Sequence, residues 1–172
     1  LDNPTEGLVK IDNLDTTKMN EQQLTLVRRN VIGFIFQSFN LVPVLNIYEN
    51  VELPLLFRTT GEKIDKEWIY HIIETVGLKD HINHKPEELS GGQQQRVAIA
   101  RAIAGKPKII LADEPTANLD SNTGEDIIEL MRKLNKEEKT TFIFATHDPK
   151  IIRHAQRTIQ LENGLIIKDE RK

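Results

Sequence analysis

The residue pattern predicts an α/β fold with a mainly parallel sheet into which a helical block is inserted. Three observations carry this expectation. After Gly105-Lys106-Pro107 the chain alternates a strand pattern over 108–112, a helix over 122–135, a strand over 140–145 and a helix over 149–155, the rhythm of parallel strands with covering helices. Val31 to Phe36 is a continuous β-branched and aromatic run, as a buried strand requires. From about 46 to 105 the pattern is helical instead. The expected layout is one domain, with an α/β core over about 1–45 and 106–172 and a helical subdomain over 46–105.

Taken in order, Leu8 to Asp12 reads as a strand, Asn20 to Arg29 as a short helix and Val31 to Phe36 as the buried strand. Ile69, Ile72, Ile73 and Val76 fall at i, i+3, i+4 and i+7, one apolar stripe of a helix that Gly77 ends. Pro86 breaks the chain ahead of Ser90, a natural N-cap for a helix through Arg101. Ile127, Leu130, Met131 and Leu134 give the helix over 122–135 its buried face. The chain closes with an antiparallel hairpin, strands 157–161 and 165–169, turned at Glu162-Asn163-Gly164. No internal repeat interrupts this order.

Composition narrows the function classes. A net charge of −3, from 23 basic and 26 acidic residues, argues against a broad basic surface, so no nucleic acid partner is expected. The absence of cysteine rules out disulfides and thiolate metal sites, which fits a reducing cytosol. The longest apolar runs fall far short of the roughly 18 residues of a membrane span. A protein of this kind that serves a membrane is expected as a peripheral subunit on its cytoplasmic face.

Two strings concentrate the chemistry. In Leu89-Ser90-Gly91-Gly92-Gln93-Gln94-Gln95-Arg96 a serine and two glycines open a helix, where free backbone N–H groups and the helix dipole favour a phosphate. In Ile109-Ile110-Leu111-Ala112-Asp113-Glu114-Pro115 an apolar strand ends in two acids that strand alternation points in opposite directions, so that one can hold a metal while the other addresses a water. Taken singly, each has an ordinary reading: solvated acids at a strand end, or a common helix-initiating turn. A strand-end Gln37 and a loop His147 are equally unremarkable alone.

Their order and separation, with Asn118-Leu119-Asp120 and Thr146-His147-Asp148, closely resemble the ATP-binding cassette (ABC) ATPases, over essentially the whole chain. The signature motif, Walker B motif, D-loop and H-loop correspond in turn to these four strings. Phe34-Ile35-Phe36-Gln37-Ser38-Phe39-Asn40-Leu41 and Glu49-Asn50-Val51-Glu52-Leu53-Pro54-Leu55 are similar to the exporter branch of lipoprotein-release and macrolide-efflux ATPases.

The resemblance implies a P-loop NTPase-like (RecA-like) sheet carrying an inserted helical signature subdomain, with ATP and Mg²⁺ as ligands. It implies that Asp113 holds Mg²⁺, that Glu114 polarises the attacking water, and that Gln37 of the Q-loop meets both magnesium and lytic water beside a mobile loop, Ser38 to Val44. His147 would donate to the γ-phosphate. Ser90, Gly91, Gly92 and Gln93 would bind the ATP of a second cassette packed head to tail, with Asp120 lining that interface. The further partners implied are integral membrane transporter subunits. Phe39, Leu41, Val42, Pro43 and Leu45 are either core packing or a groove for a short helix of such a subunit.

One departure stands out. No G-x-x-x-x-G-K-S/T string occurs, and Leu1 to Gly7 resembles the segment that follows a P-loop helix. The expectation is a chain that starts inside the domain, with the first strand and P-loop missing, roughly forty residues by analogy with the family. The isolated chain is then expected to be a poor enzyme. Two rivals are a degenerate cassette that lends its signature to a partner and a soluble ABC protein outside transport. Intact Glu114 and His147 weigh against the first. The second is disfavoured by a Gln37-to-Ser90 separation of 53 residues (90 − 37), too short for coiled-coil arms. His71, His81, His84 and His154 are expected to be solvated, and Trp68 and Tyr70 to be packing residues.

Overall fold

The computed structural model describes residues 4–11, 13–58 and 63–172. A short antiparallel pair comes first, β1 (Lys10–Ile11) with β2 (Leu14–Asp15). It marks the strand expected at Leu8 to Asp12, of which Asp12 lies outside the described residues, as do Leu1 to Asn3 of the opening segment. Asn20 is the N-cap rather than the first residue of α1 (Glu21–Val31): its side chain accepts from the Gln23 N–H while the Gln23 side chain accepts from the Asn20 N–H. The chain passes directly into β3 (Ile32–Ile35).

The helical block holds α2 (Ile47–Leu56), α3 (Lys66–Thr75) and α4 (Gly91–Ala104). Gly77, at φ +76°, ends the α3 region in the left-handed conformation expected of it. The remainder is β4 (Ile109–Asp113), α5 (Ser121–Glu138), β5 (Thr141–Ala145), α6 (Pro149–His154), β6 (Arg157–Glu162) and β7 (Leu165–Arg171). β3, β4 and β5 form a parallel sheet in that spatial order, with Ile35 opposite Ala112 and Asp113 opposite Ala145. β6 and β7 form the hairpin, and its two turn residues, Asn163 and Gly164, both have positive φ, as a twisted two-residue loop demands.

A single apolar cluster runs through both blocks. The α3 stripe of Ile69, Ile72 and Ile73, with Val76 just beyond, packs with Val97, Ile99 and Ile103 of α4, Ile110 of β4 and Ile127, Met131 and Leu134 of α5. α4 is therefore the shared wall between helical block and sheet, and its N-terminus is carried by the same rigid element that covers β3. That packing needs Gly33: a Cβ there would lie 2.6 Å from the Ala102 carbonyl oxygen and 3.1 Å from Ile110 Cγ1. Gly33→Ala is expected to lower stability by about 1–3 kcal/mol through overpacking. The check is a denaturant midpoint that falls at unchanged slope. Among the described residues no helix is long and apolar enough to cross a membrane.

Candidate functional site

The C-terminal ends of β4 and β5 build the centre of the site. Asp113 closes β4 as an exposed carboxylate. Strand alternation stops there, so it does not set the direction of the next acid, contrary to the sequence expectation. Glu114 turns out of the strand at φ +41°, its N–H donating to the Ala145 carbonyl at 2.9 Å. This left-handed turn folds the Glu114 side chain toward the loop that follows β5.

There the carboxylate is almost saturated with donors. Glu114 Oε2 accepts from the Thr146 hydroxyl at 2.8 Å, and Oε1 accepts from the His147 backbone N–H at 3.1 Å and lies 2.6 Å from His147 Nδ1. An ionised carboxylate only accepts, so Nδ1 carries the proton in this contact. Burial is the largest influence on Glu114 and pushes its pKa up. The Thr146 and His147 hydrogen bonds and the adjacent imidazole together outweigh it, and the carboxyl sits below its ordinary value. The structure thus unites Glu114 and His147. The His147 side chain, 90% exposed, has its other nitrogen available to a ligand.

Gln37 lies two residues beyond β3, and its carbonyl accepts from the Asn118 side chain at 2.9 Å, which draws the 117–120 turn against the Q-loop. The loop after it was expected to be mobile; it is anchored instead. Phe39 and Asn40 adopt positive φ, and their carbonyls receive both terminal nitrogens of Arg101, at 2.7 and 2.6 Å. Asn50, fully buried on α2, accepts from the Val42 N–H at 2.8 Å and donates to the carbonyls of Val42, Leu45 and Asn46 at 3.2, 2.9 and 3.0 Å. Of the apolar cluster, Leu41 packs on the core, while Pro43 is exposed beside Val44 at the loop tip.

Ser90 caps α4 as expected. Its hydroxyl accepts from the Gln93 N–H at 3.3 Å, and its own N–H donates to Gln93 Oε1 at 2.8 Å. The Gln93 side chain is therefore turned back onto the cap, and Gly91 and Gly92 open the helix. A Cβ on Gly92 would meet Thr123 Cγ2 at 2.5 Å. No hydrogen bond among the described residues joins Ser90, Gly91, Gly92 or Gln93 to Glu114 or His147. Asp120 caps α5, accepting from the Asn122 and Thr123 N–H groups at 3.1 Å and from the Thr123 hydroxyl at 2.6 Å. The Thr123 hydroxyl is the largest influence that lowers its pKa.

Four residues of this arrangement stand in the quoted strings but received no role of their own in the sequence reading. Thr146 and Asp148 frame His147: the Asp148 N–H donates to the Thr146 hydroxyl at 3.0 Å, and Asp148 Oδ2 accepts from the buried Thr116 hydroxyl at 2.8 Å. Asn50 and Gln95 are the others, both fully buried amides on helices. Their signal was polarity within an otherwise apolar helical face. Two of the four remaining histidines also depart from expectation. His81 and His84 pack ring to ring at 5.1 Å, each with a buried Nδ1, because their turn folds back on α2, where Ile47 N–H donates to the His84 carbonyl. His154 stands 3.3 Å from Arg132. Trp68 is a packing residue that also donates to the Ala104 carbonyl at 2.9 Å.

A parallel sheet whose C-terminal strand ends lead into an acid pair and a histidine is an α/β arrangement of the class that gathers its polar side chains at that edge of the sheet. The ABC transporter family model matches residues 1–117, well over half of the chain, and the chain belongs to that family. The ABC transporter ATP-binding protein MJ0796 of Methanocaldococcus jannaschii is 49% identical, over 99% of this chain and 74% of its own length. The macrolide export ATP-binding/permease protein MacB of Bdellovibrio bacteriovorus is 46% identical over 99% of this chain, which spans 26% of that longer protein. A dimeric structure of MJ0796 in a post-hydrolysis state bound to ADP and Pi superposes with a TM-score of 0.84 at 48% identity, covering 99% of this chain and 75% of that one.

Proposed function

We propose that the protein is the ATP-hydrolysing subunit of an ABC transporter, acting as a cassette dimer on the cytoplasmic face of a membrane to drive export through integral membrane subunits. The observation that carries this reading is the Glu114–His147–Thr146 cluster at the ends of β4 and β5, followed by a turn whose Asn118 holds the Gln37 carbonyl. The dimeric, ADP- and Pi-bound MJ0796 cassette supports the dimer and the reaction, and the name of MacB supports export.

In this reading Glu114 takes a proton from the attacking water, and the hydrogen bonds that keep it ionised also keep it able to accept one. His147 donates to the γ-phosphate. To do so from Nε2 while Nδ1 stays on Glu114, the ring must carry both protons. Asp113 suits Mg²⁺, a hard cation usually held by one or two carboxylates with phosphate and water completing its shell. Gln37, whose carbonyl ties the loop after β3 to Asn118, would offer an amide oxygen as a further hard ligand. When bound, the ion supplies neutralisation of phosphate charge. Ser90, Gly91, Gly92 and Gln93 serve the nucleotide of the partner cassette, and Asp120 borders the interface.

The 172 residues include no G-x-x-x-x-G-K-S/T loop, so turnover is assigned to the full-length protein and none above background to the isolated 172-residue chain. The test is light scattering and phosphate release with the full-length protein. ATP should drive monomers to dimers, and phosphate should appear only with Mg²⁺ present. A protein that stays monomeric in saturating ATP, or that binds no nucleotide, would refute the proposal.

A further inference from the structure

We infer that Gln95 is a positioning residue that binds the signature helix to the turn carrying Glu114, so that the two move as one body; this rests on the roles proposed above for Ser90, Gly91, Gly92 and Glu114. Gln95 is fully buried, on the second turn of α4. Its Nε2 donates to the Pro115 carbonyl at 2.7 Å, while its Oε1 is buried with no hydrogen-bond partner among the described residues. A methionine or leucine would fill the same volume without an orphaned acceptor, so packing alone does not call for an amide here. What the amide adds is the bond to residue 115.

Residue 115 is a sensitive place to hold. Pro115 has no N–H, so its carbonyl is its one backbone anchor, and it directly follows the left-handed Glu114. The next residues fasten the turn on two further sides. Thr116 donates to Asp148, next to His147, and Asn118 donates to the Gln37 carbonyl. The 114–118 turn is thus a junction where the loops after β3 and β5 meet α4, and Gln95 is the link from the helix side.

In a head-to-tail dimer the start of α4 serves the partner's nucleotide, whereas Glu114 serves its own. The Gln95–Pro115 bond therefore joins the two nucleotide sites through the body of one subunit. A displacement of α4 by the partner's nucleotide is passed to the residue next to Glu114. Gln95 touches neither substrate nor reacting atoms and acts only through the turn.

The test uses the full-length protein. Gln95→Met keeps the volume and removes the donor. ATPase rates as a function of ATP concentration should lose cooperativity, as the coupling of about 5- to 150-fold in affinity usual between linked sites disappears, and kcat should fall, at a melting temperature close to the parent's. Unchanged cooperativity and kcat would overturn the inference. Hydrogen exchange on the unsubstituted protein, titrated with a non-hydrolysable ATP analogue, tests it without any variant. Amides of 91–96 and of 116–119 should gain protection with one midpoint. Protection of the helix start without the turn would overturn the link alone. Protection of neither would overturn the proposed function and the inference with it.

Discussion

Glu114→Gln should lower ATP turnover by roughly 10²- to 10⁴-fold, the contribution of a well-placed general base, while nucleotide binding and dimer formation persist. The substitution preserves shape, and the geometry says the fold tolerates it. The amide oxygen can take over the bonds from the His147 backbone and ring, and the amide N–H₂ can face the Thr146 hydroxyl, which already accepts from Asp148 N–H. What is lost is the capacity to hold a proton. A second signature separates this from a general weakening of the site. The folded-state pKa of Glu114 lies below its ordinary 4.5 because its hydrogen bonds together outweigh burial, which acts in the opposite direction. A carboxyl with a depressed folded pKa contributes stability above its unfolded value and loses it as pH falls through the folded one. Melting curves taken from neutral pH down through the carboxylate range should therefore show a shallower acid decline for Glu114→Gln than for the parent. Turnover near the parent rate would assign proton removal to another group.

Much of this was legible in the residues because the local signals agreed with the global fold. The α3 stripe, the Ser90 cap, Gly77 and the β6–β7 turn each needed only one periodicity or one backbone conformation to place them. The pairing of Glu114 with His147 was reachable only through resemblance, since the two are 33 residues apart. Other features had no local signature. Sequence alternation gave Glu114 a direction that its left-handed backbone then changed. The Q-loop looked free because its anchors, Arg101 and Asn50, lie 61 and 8 residues away from the carbonyls of Asn40 and Val42 that they hold. His81 and His84 are common surface types, and only the fold-back of their turn onto α2 partly buries them. Such features arise from tertiary contact, and a pattern read along one chain does not contain them.

Gly91→Asp should separate stability from function more cleanly than any other change in this molecule. A Cβ at Gly91 would meet nothing nearer than Leu119 Cδ2 at 3.7 Å, an ordinary contact, whereas Gly92 would collide with Thr123. Gly91 is also the first residue of α4, where a carboxylate adds about 0.3–1 kcal/mol to helix stability. The variant should melt at or slightly above the parent temperature. The same carboxylate occupies the place proposed for a triphosphate, so turnover should fall by at least about 10²-fold, comparable to losing one anion-stabilising donor. Mixing it with Glu114→Gln then tests the head-to-tail geometry. If each site combines one subunit's Glu114 with the other's signature, a mixed dimer has one site with both defects and one site intact, and activity should return to a pair of inactive proteins. If the signature serves its own chain's nucleotide, both sites stay defective and mixing restores nothing. Phosphate release from the mixture, at concentrations where ATP drives dimerisation, distinguishes the two outcomes.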